Sequence, residues 1–363
     1  MVSKIFDSVT NEIAKGMSGL NEGLPHGHKS LVPYWPNIQQ KTYYLLGAST
    51  GVGKTTFTDE AFIYNPYDYI MANETPFDMD LTYFSFEIDK VSKIVKGVCR
   101  YLYLHHNIAV DVNYVLSRGK NRCSQEIFDL VMSTRAYFDS LEDKLQIFDM
   151  PLNPTGIYKY MYNKALENGK IHTKPIQTKD DNGNTITIEV FDRYEPKNPN
   201  KFIMYIVDHV ALSTEEKGAQ NTKAIIDKIS QYSILLRNNF NQIPIIIQQL
   251  SYEINDPMRA KLNRLSPMLS DFGDSKYTTR DANYVFSLYS PITHNQEAFS
   301  GYNTKILGDR FRSFEILKGR DGGLGVRKGL FYHGKVGHFR ELPKSTEMTP
   351  EIYEKILETC PSQ

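Results

Sequence analysis

The sequence predicts an α/β fold in which helices flank a mostly parallel central β-sheet. Apolar runs with strand character alternate with helix-like stretches along most of the chain, the order that a parallel sheet requires. Several runs are apolar throughout, which is typical of strands buried on both faces. The candidate strands are residues 43–47, 81–86, 145–149, 202–208, 243–248, 284–289, 313–318 and 327–332.

Helices are predicted between these strands, most clearly at residues 222–240, and once more at residues 350–359 in a C-terminal tail, residues 343–363. In the first of these helices the apolar side chains recur at the spacing of one helical face. They are Ile225, Ile229, Tyr232, Leu236 and Phe240.

The N-terminal residues 1–22 predict an arm helix ahead of a main domain at residues 23–342. The connector between them, residues 21–36, is rich in Gly, Pro and His, which predicts a flexible tether. His26 and His28 in this connector are interpreted as ordinary loop residues, not metal ligands. The apolar stripe of the arm consists of Ile5, Val9, Ile13, Met17 and Leu20.

One segment interrupts the alternation of strands and helices. Residues 168–201 are polar, and they contain the turn signal Asp181-Asn-Gly183 between the β-prone runs 174–178 and 185–191. We therefore expect an inserted surface β-hairpin before a central strand.

Composition narrows the class of protein but leaves its partner open. Apolar residues make up 40% and charged residues 23% of the 363 residues, as in a globular protein with one large core. There is no membrane-spanning apolar run and no signal-peptide pattern, and the three cysteines are far apart, which favours a cytoplasmic setting. Lys+Arg and Asp+Glu balance at 42 each, so only a local basic loop or a channel shared by subunits would attract nucleic acid.

The strongest motif is Ala48-Ser-Thr-Gly-Val-Gly-Lys-Thr55, which lies between a predicted strand and a predicted helix. Glycines let the backbone wrap around a phosphate, so that N–H groups and the positive end of the helix point inward. Lys54 would reach the β- and γ-phosphates of ATP, and the Thr55 hydroxyl would ligate Mg²⁺. The alternative is a glycine-rich turn that matches by chance. The predicted nucleotide contacts are Ser49, Thr50, Gly51, Val52, Gly53, Lys54, Thr55 and Thr56.

Two apolar strands end in acids, Glu87 and Asp208. Hydrolysis needs one carboxylate that supports the metal and one that orients the attacking water. We expect Asp208 to support the Mg²⁺ on Thr55 and Glu87 to polarise the water. The alternative is that each acid caps the helix that follows it.

A third strand ends in the amides of Gln248 and Gln249. Buried strands rarely end in amides that lack hydrogen-bond partners. Gln249 is the candidate sensor of the γ-phosphate, and the alternative is that it only stabilises a turn.

In this order the motifs resemble the RecA-like motor domain of the DnaB-type replicative hexameric helicases, over residues 23–342 apart from the hairpin. The resemblance implies a RecA-like P-loop ATPase core. It rests on the phosphate loop, Phe84-Ser-Phe-Glu87, Val207-Asp208, Gln248-Gln-Leu250, the segment 269–283 and Lys318-Gly-Arg-Asp-Gly322.

The last of these motifs implies a shared active site. In the family, Lys318 and Arg320 would reach across the subunit boundary to the γ-phosphate of a neighbour. Two cations on a strand end can neutralise the charge that develops in phosphoryl transfer. The alternative for both residues is a solvated basic turn. The resemblance also places the arm helix where it would dock on an adjacent subunit, with packing on its own domain as the alternative.

Three features depart from the family pattern. We expect no large N-terminal domain, primase module or zinc module. His209 follows Asp208 where tyrosine is common, and it is interpreted as a packing residue. The DNA-contacting loop usually reads Arg-Glu-Ser-Gly but here is Gly273-Asp274-Ser275-Lys276. Phosphate contacts and plain solvated charges are therefore both open for Lys276, Arg259, Lys261 and Arg264. Asp274 and Ser275 are candidate DNA-binding residues by their place in the matching loop.

The leading hypothesis is an ATP- and Mg²⁺-dependent DNA helicase. It would form a ring, expected to be hexameric, and move along single-stranded DNA in replication. A minimal phage or mobile-element protein in the host cytoplasm fits this architecture. One alternative is a RecA/RadA-type recombination ATPase. The other is a nucleotide-gated assembly module without translocation, which the altered DNA loop favours.

Overall fold

The computed structural model describes residues 4–262, 264–273, 275–320 and 322–358. The strands are β1 (Tyr44–Ala48), β2 (Asp78–Ser85), β3 (Leu145–Phe148), β4 (Gly169–Lys179), β5 (Thr185–Pro196), β6 (Lys201–Asp208), β7 (Ile243–Gln249), β8 (Tyr284–Tyr289), β9 (Ala298–Phe299), β10 (Tyr302–Asn303), β11 (Phe311–Gly319), β12 (Arg327–His333) and β13 (His338–Glu341).

A π-helical turn, Glu60–Tyr64, joins the second helix to the third. The helices are α1 (Lys4–Met17), α2 (Lys54–Asp59), α3 (Asn65–Ala72), α4 (Lys90–His106), α5 (Val112–Val115), α6 (Gln125–Ser133), α7 (Arg135–Glu142), α8 (Pro154–Asn168), α9 (Thr222–Phe240), α10 (Pro257–Lys261), α11 (Lys276–Asp281), α12 (Thr304–Leu307) and α13 (Pro350–Glu358).

Within the described residues, nine strands form one sheet in the order β13-β12-β11-β8-β1-β7-β6-β2-β3. Neighbouring strands from β8 to β3 are parallel, whereas β11, β12 and β13 are antiparallel additions at one edge. This confirms the predicted mostly parallel α/β sheet. Because β1 lies between β7 and β8, the loop that follows it opens at the middle of the carboxyl edge, where open α/β sheets bind ligands.

The predicted strands are all present, and the largest difference is that β2 begins at Asp78 instead of residue 81. Strand β13 was not predicted, because His338 and Arg340 flank a single apolar residue of an edge strand that pairs with β12. The predicted helix at residues 222–240 is α9, and the predicted tail helix is α13; Thr359, the last residue predicted for it, lies outside the described residues.

The inserted hairpin is confirmed and is longer than predicted. Strands β4 and β5 pair along their length, with a register shift between His172 and Thr173. The turn signal lies at the tip, where Asp180 Oδ1 accepts hydrogen bonds from the backbone N–H groups of Asn182 and Asn184.

Both faces of the sheet are covered. Tyr44 and Leu46 of β1 face the side that carries α2, α4 and the connector, whereas Leu45 faces α8 and α9. Alternate residues of β1 therefore enter different cores, as the period of a strand requires.

The prediction of a flexible tether at residues 21–36 is wrong. Leu24 pairs with Ile38 in an isolated β-bridge, and Trp35 is fully buried with its ring 3.9 Å from that of His26. Burial of a large apolar side chain contributes about 1.5–3 kcal/mol, which outweighs the local preference of Gly and Pro for turns. The connector is thus part of the core.

Helix α1 has the predicted amphipathic pattern, but three residues of its apolar stripe, Val9, Ile13 and Met17, are exposed. Met17 is 85% exposed, Ile13 57% and Val9 44%. The packing alternative, in which this stripe lies against its own domain, is not what the structure shows. None of the helices in the described part of the chain has the length and apolar character needed to cross a bilayer.

Candidate active site

The phosphate loop has the conformation that its glycines predict. Gly51 and Gly53 have φ values of 77° and 105°, in the left-handed region that favours glycine. A Cβ atom at Gly53 would also lie 2.9 Å from the ring of Phe339. Helix α2 begins at the next residue, Lys54, so the loop ends at a helix N-terminus. The loop conformation and the helix start that the motif predicts are therefore both present in the structure.

The Lys54 side chain is buried inside this loop. Its Nζ donates to the Ser49 carbonyl at 3.3 Å. Burial lowers the pKa of Lys54, and the carboxylates of Glu87 and Asp208 oppose that shift. The ammonium group therefore faces the two acids that the sequence places at the strand ends.

Asp208 contacts the loop directly. Its Oδ2 accepts hydrogen bonds from Thr55 Oγ1 and from the Tyr83 hydroxyl, both at 2.8 Å. Its Oδ1 is buried and has no hydrogen-bond partner among the described residues. The helix-capping alternative for Asp208 does not hold, because the 3₁₀ turn that follows, Val210–Leu212, has no side-chain cap.

The donor set fits Mg²⁺. Hydroxyl and carboxylate oxygens are hard ligands of the kind that Mg²⁺ prefers, usually together with phosphate oxygens and water. Thr55 and Asp208 would hold the ion, and Asp208 Oδ1 is the oxygen that lacks another partner among the described residues.

Glu87 lies just beyond β2 with its side chain exposed at the same edge. The backbone N–H of Phe86 donates to the Asp208 carbonyl at 2.8 Å, which fixes the two strand ends side by side. The capping alternative for Glu87 is wrong, because the cap of α4 is Asp89, whose Oδ1 accepts from the Ser92 N–H at 2.8 Å. Glu87 therefore does not cap α4, and it stays a candidate for the site.

The two strand-end glutamines have different roles. Gln248 is buried and donates to the Phe272 carbonyl at 3.1 Å, so it supports the following loop. Gln249 Nε2 donates to Thr50 Oγ1 at 2.9 Å. Gln249 therefore contacts the tip of the phosphate loop, as a sensor of bound nucleotide would.

Arg312 was not predicted as part of the site. It is buried in β11, and its Nε donates to the Val52 carbonyl of the phosphate loop at 2.8 Å. The same guanidinium pairs with Asp309 at 3.1 Å. Its position in the sequence could have indicated this, because Arg312 alternates with the buried residues Phe314 and Ile316 and so lies on the same face of the strand.

A cavity of about 850 Å³ opens between α12, β12 and α13. Arg310, Tyr332, His333 and Leu357 are among the residues that line it. Ring carbons of Tyr332 would lie 3.2 and 3.3 Å from a Cβ atom at Gly53. Because the ring of Tyr332 both lines the cavity and lies against Gly53, the cavity is beside the start of α2. Helix α13 forms part of the cavity wall.

Lys318 and Arg320 are not near the phosphate loop of their own chain. Lys318 pairs in register with Val285, near the start of β8, which lies at the amino edge of the parallel strands. Its Nζ donates to the carbonyls of Thr279, Arg280 and Ala282 at 2.6 to 2.8 Å, at the end of α11. Arg320 is exposed just beyond it. Lys318 is thus not a solvated basic turn residue.

The candidate DNA contacts divide into two groups. Lys261, Arg264 and Lys276 are exposed. Arg259 forms a two-oxygen ion pair with Asp271, at 2.5 and 3.1 Å, and also donates to the Arg264 and Ser266 carbonyls. The Ser275 side chain is buried, caps α11 and bonds Asp227.

The structure therefore gives Arg259 and Ser275 internal roles, because their polar atoms are already engaged by the chain itself. Asp274 and Asp321 lie outside the described residues. His209, interpreted as a packing residue, is partly buried, and burial lowers its pKa.

Comparison with known proteins agrees with this geometry. One solved structure, an ATPase domain, has a similar fold, with a TM-score of 0.68 and 18% identity over 94% of this chain and 100% of that chain. A DnaB-like replicative helicase, solved with its interactions with primase, has a TM-score of 0.66 and 18% identity over 94% of this chain and 69% of that chain. No curated protein sequence matches the chain.

The DnaB-like helicase C terminal domain matches residues 103–341, well over half of the chain. The matched range includes Asp208, Gln249, Lys318 and Arg320, whereas the phosphate loop and Glu87 precede it. The chain therefore belongs to the DnaB-like helicase C terminal domain family, and it is an ATP-driven replicative helicase, as its motifs predict.

Proposed function

We propose that this chain hydrolyses ATP at the boundary between neighbouring copies in a hexameric ring and uses the energy to move along single-stranded DNA. The observation that carries the proposal is the position of Arg320, at the edge of the sheet opposite to its own phosphate loop. A complete set of catalytic groups then requires two copies of the chain.

The distance follows from the register of the sheet. The Arg320 N–H donates to the Asn283 carbonyl at 3.1 Å, and the next residue, Tyr284, pairs with Tyr44 of β1. Arg320 is thus level with the residue before β1, five residues before Ala48. At ~3.3 Å per residue this is about 17 Å along the strands, more than an arginine side chain can span.

Within one copy, each side chain at the carboxyl edge has a separate task. Lys54 would neutralise phosphate charge, Glu87 would orient and deprotonate the attacking water, and Gln249 would report the γ-phosphate to the loop after β7. Thr55 and Asp208 would hold Mg²⁺, which neutralises charge on the phosphates when it is bound.

The cavity beside α2 supplies a place for the rest of the nucleotide. With the phosphates at the N-terminus of α2, the ribose and base would extend toward Tyr332, whose ring lies against Gly53, and toward Arg310 in the same cavity. An aromatic ring and a guanidinium group are suited to contact a planar base. We infer that nucleoside contacts come from this cavity.

Two exposed surfaces fit the assembly. The apolar stripe of α1, with Val9, Ile13 and Met17, needs a partner, and a neighbouring copy supplies one. Lys261, Arg264 and Lys276 are the exposed cations available for the phosphates of single-stranded DNA. In this proposal residues 23–342 form the motor unit, and α1 and the tail are appendages to it.

Replacing Lys54 by Ala should weaken nucleotide binding at least about 30-fold, because loss of a buried charge partner of the phosphates costs roughly 2–5 kcal/mol. Equilibrium binding of ATP measures this. Lys159→Ala removes an exposed lysine of α8 and should bind ATP normally. Unchanged affinity in the Lys54 variant would refute the assignment of the phosphate loop.

The proposed movement along DNA is tested by unwinding of a forked duplex with ATP and Mg²⁺, alongside particle imaging. We expect rings and strand separation. Filaments with strand exchange would instead support a recombination ATPase, and ATP hydrolysis that single-stranded DNA does not stimulate would support an assembly module.

A further inference from the structure

Asp208 has a second hydroxyl partner besides Thr55. Tyr83 lies on β2, which is hydrogen-bonded to β6 along its length. The Tyr83 hydroxyl and Thr55 Oγ1 both donate to Asp208 Oδ2, each at 2.8 Å, and Oδ1 is left without a partner among the described residues. Two donors on one oxygen fix the plane of the carboxylate and leave the other oxygen to a ligand.

The Tyr83 ring is itself held in place. It is fully buried, and the Lys93 Nζ lies 3.5 Å from its centroid, in a cation–π contact. The same Nζ donates to both carboxylate oxygens of Asp59, at 2.8 and 2.9 Å. Lys93 and Asp59 are both buried, so dissolved salt screens this ion pair only weakly.

These contacts join three segments of the site. Asp59 lies on α2, directly after the phosphate loop, and Lys93 lies on α4, a few residues after Glu87. Tyr83 comes from the strand that delivers Glu87, and Asp208 ends the neighbouring strand. The orientation of the Asp208 carboxylate therefore depends on the helix that receives the phosphates and on the segment that carries Glu87.

We propose that Tyr83 is a positioning residue for the metal site: its hydroxyl, on a ring that packs against Lys93 of the Lys93–Asp59 ion pair, turns Asp208 so that Oδ1 faces the Mg²⁺ that accompanies the nucleotide. The inference rests on the role proposed above for Asp208. In this proposal Tyr83 acts on the metal only through Asp208. Its hydroxyl acts through its hydrogen bond to Asp208 Oδ2.

The test is Tyr83→Phe, which keeps the ring and its contact with Lys93 and removes only the hydroxyl. The measurement is the dissociation constant of a fluorescent ADP analogue with Mg²⁺ and with EDTA. We expect affinity in Mg²⁺ to fall about tenfold, the effect of losing one hydrogen bond to a charged group, and affinity in EDTA to be unchanged. A Mg²⁺ response equal to that of the unmodified protein would overturn the proposal.

Tyr205→Phe is the matched control. Tyr205 is also a buried strand tyrosine, and its hydroxyl donates to Ser233 Oγ at 2.9 Å, on the α9 side of the sheet. Its removal should leave the Mg²⁺ response unchanged. If both variants lower the unfolding midpoint equally and only Tyr83→Phe alters the ratio of the two dissociation constants, the effect belongs to the metal site. If the ratio is unchanged while Tyr83→Phe is much less stable, the hydroxyl is merely structural and the proposal fails.

Asp208→Asn separates this proposal from the proposed function. Loss of the Mg²⁺ response in Asp208→Asn, together with a normal response in Tyr83→Phe, would overturn the positioning role and keep Asp208 as the metal residue. A normal response in both variants would overturn the role of Asp208 itself, and the inference with it.

Discussion

Replacing Glu87 by Gln should leave nucleotide binding intact and reduce ATP hydrolysis by about 10²–10⁴-fold, the usual contribution of a general base. Glutamine has nearly the shape of glutamate, so it keeps the fold of the exposed segment after β2. It cannot accept a proton from the attacking water. Single-turnover hydrolysis and ATP binding, measured on the same protein, separate the chemical step from affinity.

The matched control is Asp89→Asn, two residues further along the same segment. Asp89 caps α4, and hydrogen bonds from Ser92 lower its pKa. Asparagine is an equally good cap, so this variant should hydrolyse ATP normally. If Glu87→Gln also hydrolysed ATP at the normal rate, another group would have to activate the water, and the assignment of Glu87 would be wrong.

The parts of the site that the sequence predicts are those encoded in short segments. The loop from Ala48 to Thr55 is one strand end, one turn and one helix start, so its local pattern determines its shape. Glu87, Asp208 and Gln249 follow buried strands, and the carboxyl ends of parallel strands meet at one edge. The structure brings all of them to that edge.

The parts that were missed depend on which strands and helices are neighbours. Nothing in the local pattern of β2 indicates that Tyr83 faces Asp208, because the pairing of β2 with β6 joins residues far apart in the chain. Arg312 reaches Val52 across the sheet for the same reason. The prediction for the connector is wrong because Gly and Pro favour turns locally, whereas the burial of Trp35 depends on the core that it meets.

The resemblance to the family's DNA-contacting loop also overstates the number of residues available to DNA. Arg259 and Ser275 are polar residues in a loop, but their polar atoms already have partners. Arg259 forms an ion pair with Asp271, and Ser275 caps α11. Sequence alone cannot distinguish a cation that is exposed from one that is paired with a neighbouring loop.

Replacing Arg320 by Ala should reduce ATP hydrolysis by roughly 10³-fold or more, the range found for arginine fingers, with little change in ATP binding. The guanidinium group would act only on the phosphates of the adjacent copy, because its own loop lies at the far edge of the sheet. Arg135→Ala is the control, since Arg135 is an exposed arginine of α7 that pairs with Asp139 at 3.2 Å. That variant should hydrolyse ATP normally.

The decisive form of the experiment mixes Arg320→Ala protein with Glu87→Gln protein. Each variant should be inactive alone. A boundary is complete, however, where an Arg320→Ala subunit supplies Glu87 and a Glu87→Gln subunit supplies Arg320. In an equal mixture with random order, about a quarter of the head-to-tail boundaries are of this kind, so hydrolysis should recover to a comparable fraction. Mixing Arg320→Ala with the double variant restores no such boundary and should give no recovery. If mixed rings formed and the first mixture stayed inactive, Arg320 would not act across the boundary, and the position of Lys318 at the end of α11 would mark this strand end as structural.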